Sequence, residues 1–134
     1  MRLYRTFSLA MLVVFCLVGI LFLTVPAGVL GLFNSLSAGL GMSATTTQVS
    51  YFYLGLAVAY MALVSALAFL MLRHPMNHYF PLLLAVGKIS SSILSLALFI
   101  LVQRSLICLT NSVVDGAIGT AAALFAVGIR RAGR

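Results

Sequence analysis

The sequence predicts an all-α protein, a bundle of four transmembrane helices, on three observations. First, 63% of its 134 residues are hydrophobic and only 7% are charged, with a mean hydropathy of +1.22. Soluble domains carry about a quarter charged residues, so this chain lacks the polar surface that water demands. Second, the apolar residues gather into four runs, each long enough to cross a bilayer at about 20 residues per crossing. Third, the connections are short and polar, apart from one. A single integral membrane domain over 1–134 accounts for the chain, with spans at about 6–25, 49–72, 80–102 and 107–129 and an outer connection at 26–48.

The first span imitates a secretory signal, with basic residues in 1–5, an apolar stretch and a Val25-Pro26-Ala27 segment resembling a cleavage site. Its apolar part exceeds the usual signal core of about 7–15 residues. It reads as a retained helix that ends near Pro26, because proline restricts its predecessor. The connection that follows is uncharged. Val29, Leu30, Leu32, Phe33 and Leu36 suit a short helix or turn resting at the membrane surface, and Gly39, Gly41 and residues 43–47 suit a flexible loop. Connections of this length are either functional or mobile, which makes this the place for an outer-face recognition element.

The second span opens on Tyr51, Phe52 and Tyr53, aromatic residues suited to the headgroup zone. Gly55, Ala59, Ala62 and Ala66 recur along it and offer a surface for close helix approach. Tyr60 lies deep in the span and is expected to hydrogen-bond to a neighbouring helix. Residues 73–79 make a polar turn, with Asn77 as a candidate cap and Pro81 tolerated early in the third span. The fourth span carries Gly116, Gly119 and Ala121 to Ala123, again favouring close packing.

A formal charge of +7 is also found in nucleic-acid binders, but these arginines stand at the ends of apolar runs, as topology signals do. With the N-terminus inside, Arg2, Arg5, Arg73, Arg130, Arg131 and Arg134 are cytoplasmic and Arg104 alone is outside. The orientation is therefore N-in/C-in. The same arginines can meet anionic lipid headgroups.

Two charges break this pattern. Lys88, the only lysine, and Asp115, the only acidic residue, stand inside apolar runs, where an ionised group costs about 3 kcal/mol on insertion scales. Counting from the turn at Arg104, they lie roughly 24 and 16 Å deep, an offset of about 8 Å. Ser91, Ser92 and Ser95 share a face with Lys88, and a relay through their hydroxyls to Asp115 would cross that offset. Asn111 adds a further polar group on the fourth span. The pair is expected to clamp the third and fourth helices. The alternatives are a proton- or ion-responsive site, or two residues that face different partner subunits.

Other residue groups point to no chemistry. Cys16 and Cys108 lie at different depths, read as buried small hydrophobes, and have no metal spacing. His74 and His78 are four apart, but Pro75 between them argues for a turn rather than a metal site. No nucleophile–base motif or glycine-rich phosphate loop is present. Neither an enzyme nor a cofactor is expected, and a membrane enzyme acting on lipid or quinone ranks third among the readings.

Pro26, Gly31-Leu32-Phe33, Gly87-Lys88 and Asp115-Gly116 give the chain a resemblance to the DoxX-like group of small four-helix bacterial membrane proteins. That group often has arginine where Lys88 stands here, with a closer-spaced acidic residue. The resemblance implies a bacterial inner membrane and association with larger complexes, and carries over no catalytic residue. The expected function is that of an accessory or assembly subunit, whose partners are lipids and other membrane-protein subunits in a hetero-complex or homo-oligomer. The alternative is an oligomeric transporter or channel using Lys88 and Asp115.

Overall fold

A computed structural model describes residues 2–46 and 51–132. They form five helices in the order α1 (Arg2–Thr24), α2 (Pro26–Gly39), α3 (Tyr51–Arg73), α4 (Tyr79–Leu101) and α5 (Leu106–Ala132). All but α2 have the length and apolarity to cross a membrane. The all-helical class and the four candidate spans agree with the sequence reading, with boundaries moved by a few residues. The largest shift is at α1, which begins at Arg2 because Tyr4 is a core residue, its ring edge-on to Phe125 of α5 at 5.3 Å.

The long helices pack as two pairs, α1 with α3 and α4 with α5, and α3 meets α4 more lightly. The α4–α5 pair is antiparallel and very close. A Cβ added at Gly119 would stand 2.8 Å from Ile89 Cγ1 and 3.1 Å from its backbone nitrogen. One added at Gly116 would stand 2.9 Å from Ser92 Oγ. The small residues of the fourth span thus serve the use expected of them. Those of the second span do not serve it within this chain. Gly55, Ala59, Ala62 and Ala66 lie uncovered on the outside of α3, whose buried face is built from Val64, Ser65, Ala68 and Met71.

The two pairs meet through large side chains. Near Arg2, Arg73 and Arg130, Phe125 receives both Tyr4 and Phe7, with ring centroids 5.3 and 5.2 Å away. Phe15, Met71 and Leu84 continue the core inward. Toward the other end, α2 packs against both α1 and α5.

That element is more ordered than the sequence suggested. α1 and α2 are separated by Val25 alone, with Pro26 opening α2, where its missing N–H leaves nothing unpaired. Residues 43–46 are tied down rather than loose. Asn34 accepts a hydrogen bond from the Thr45 amide at 2.7 Å and donates one to the Thr45 carbonyl at 2.6 Å. The Ser43 amide donates to the Arg104 carbonyl at 3.0 Å, and Gln103 donates to the Ala44 carbonyl. Unpaired backbone groups near a membrane are costly, and these bonds satisfy several. Thr47, the last residue of the expected flexible loop, lies outside the described residues.

The turn between α3 and α4 forms as expected, with Asn77 Oδ1 accepting from the Tyr79 amide at 3.0 Å. Pro81 is buried in the first turn of α4.

Candidate functional site

Lys88 and Asp115 are brought together directly. The Lys88 ammonium donates to Asp115 Oδ1 at 2.8 Å, and the residues are 1% and 3% exposed. In the antiparallel register, Lys88 Cβ stands opposite Gly119, one turn from Asp115, so the predicted offset in depth is real. The lysine stem crosses it without help. Absence of a side chain at Gly119 gives α4 the room to come that close. The serine relay is therefore not formed, and the two residues do not face separate subunits.

The serines instead fasten the next turns of the same helix pair. Ser92 Oγ donates to the Ser112 carbonyl at 2.7 Å. The Asn111 side-chain amide donates to Ser95 Oγ at 2.7 Å and to Ser91 Oγ at 3.2 Å. Charged pair, backbone bond and amide fork make a polar seam along one face of α4, each spaced about one turn from the next. In hydrocarbon such groups find partners on the nearest helix.

Two aromatic rings enclose the cation. The Lys88 ammonium lies 3.8 Å from the Phe15 ring centroid on α1 and 5.1 Å from that of Tyr60 on α3. Both are within the roughly 6 Å over which a cation feels the negative face of a ring. The expected inter-helix hydrogen bond from Tyr60 falls short: its hydroxyl is buried beside Ser91 of α4 but makes no bond of acceptable geometry among the described residues. Its ring rather than its hydroxyl is what the site uses. Nothing in the sequence pattern marked Phe15 as a partner of Lys88, because that contact depends on how the two helix pairs face each other.

Asp115 has a second environment. It forms part of the wall of a cavity of about 530 Å³ between α1, α2, α3 and α5, with Phe22, Phe33 and Met61 among its apolar lining. Asn111, Thr110 and Cys108 stand on the α5 side. Oδ1 is occupied by Lys88, whereas Oδ2 makes no hydrogen bond and no ion pair among the described residues. The cavity thus has apolar walls and one anionic acceptor at its inner end.

Both cysteines are free, Cys16 on the exterior of α1 rather than buried as expected, and Cys108 half-buried. His74 and His78 flank the turn, and no group of three metal-ligating side chains gathers among the described residues. The site's chemistry is therefore that of one neutralised ion pair beside an apolar cavity. Comparison of the chain with family models, curated proteins and solved structures finds no match.

Proposed function

We propose that this small membrane protein is an accessory or assembly subunit of a larger membrane complex. The observation that carries this reading is the stripe Gly55, Ala59, Ala62 and Ala66, which lies uncovered on the outside of α3. Small residues at such spacing let a second backbone approach closely, and in lipid that packing drives helix association. Closure of the charged pair points the same way: Lys88 is neutralised, buried and sealed under Phe15, as suits a lock between helices. In this reading the protein sits in a bacterial inner membrane with both termini cytoplasmic, in keeping with the arginine distribution and with the DoxX-like resemblance.

Mild detergent extraction from native membranes tests the proposal. A stable complex with other membrane subunits is expected, and replacing Ala59 and Ala62 with leucine should dissociate it while the isolated chain keeps its thermal stability. Recovery of the wild-type protein only as a free monomer would overturn the reading. The exposure of Asp115 to a cavity favours one other reading, an oligomeric transporter or channel. On that reading the purified protein alone moves an ion or solute into liposomes, and either Lys88→Met or Asp115→Asn abolishes the flux.

A further inference from the structure

We infer that the cavity between α1, α2, α3 and α5 binds a single-chain amphiphile with a hydroxyl head, a long-chain alcohol, whose hydroxyl donates a hydrogen bond to Asp115 Oδ2. Three observations combine. The volume, about 530 Å³, falls in the range of small-molecule sites. The walls are of the right kind for such a tail, with Phe22 of α1, Phe33 of α2 and Met61 of α3 facing it.

The head is specified by the inner end. Asp115 is 3% exposed, its Oδ1 is held by Lys88, and its Oδ2 has no hydrogen-bond donor among the described residues. A carboxylate oxygen at the wall of a largely apolar cavity, on a side chain only 4% exposed, calls for a donor. Lys88 already neutralises the charge, so a second cation has no advantage there, and a neutral hydroxyl satisfies the oxygen without adding charge. A phospholipid acyl chain would fill the walls equally well but brings no donor to that depth. Asn111 and Thr110, about one turn from Asp115 on α5, give the hydroxyl a polar edge to pass on entry.

The test uses the full chain in phosphatidylcholine nanodiscs and a photoactivatable hexadecanol analogue. Saturable labelling is expected on the cavity-lining residues of α1 and α5. Unlabelled hexadecanol should compete about tenfold better than hexadecyl methyl ether, which lacks the donor, a difference of about 1.4 kcal/mol. Ala57→Phe, which places a ring in the cavity from α3, should lower labelling at those residues about tenfold while labelling of outward-facing residues persists. Equal competition by the ether would overturn the inference, since the cavity would then take any hydrocarbon chain. So would unsaturable labelling spread around the bundle. Should Ala57→Phe fail to fold, the comparison of alcohol with ether on the wild-type protein decides alone. This inference is independent of the subunit reading, because it is read on the isolated chain.

Discussion

Lys88→Met, Asp115→Asn and the double replacement form a cycle that measures what the buried pair contributes. Each single change leaves one charge facing a neutral group at a site less than 5% exposed, and breaking a buried pair in this way costs about 3–5 kcal/mol. Lys88→Met also forfeits the ammonium–Phe15 contact at 3.8 Å, about 0.5–2 kcal/mol for a desolvated cation–π pair. The double change leaves no orphan charge and retains the volume of both side chains, so its net cost should lie within about 2 kcal/mol of zero. The expected coupling is therefore at least about 4 kcal/mol. That figure separates two pictures, because ordinary hydrogen bonds between membrane helices couple by only about 0.6 kcal/mol on average. The assay is reversible unfolding in mixed micelles with rising dodecyl sulfate, followed by circular dichroism for all four proteins. A coupling below about 1 kcal/mol would mean that the pair behaves as an ordinary hydrogen bond, with water or lipid able to replace either partner, and not as a buried ion pair.

Other outcomes follow from the packing. Gly119→Ala should destabilise the protein by about 1–3 kcal/mol, because the added methyl meets Ile89 and Lys88. Gly128→Ala meets nothing within 4 Å and should be neutral or stabilise by up to about 1 kcal/mol through helix propensity. The same unfolding titration separates the two. Asn34→Ala removes both bonds to Thr45, and amide exchange at residues 42–46 should accelerate roughly 5- to 30-fold, as expected for a loss of about 1–2 kcal/mol of local stability; unchanged protection would show that Asn34 does not hold the segment. For orientation, with Cys16 and Cys108 replaced by serine, Gln103→Cys should react with an impermeant thiol reagent added outside intact cells. Met76→Cys, in the exposed turn between α3 and α4, should react only after permeabilisation; the reverse pattern would invert the topology.

The four candidate spans were legible in the residues alone, because bilayer thickness sets a length and hydrocarbon admits few charges. The sequence also singled out Lys88 and Asp115, since each is the only residue of its kind and each stands where a charge is costly, and counting from Arg104 placed them about 8 Å apart in depth. That the lysine stem closes that gap came from the packed helices, because it depends on how near α4 lies to α5, and Gly119 sets that distance through a side chain that is not there. The same holds for Phe15 over the ammonium, for Asn34 holding Thr45, and for the stripe on α3 that the chain leaves bare. A helix in lipid is apolar all round, so outside the small and polar residues of the α4–α5 seam its sequence does not mark which face turns inward. Burial in water leaves a periodic polar signature, and burial in a membrane does not, so the pairing of α1 with α3 and the cavity beside Asp115 emerge only once the helices are assembled.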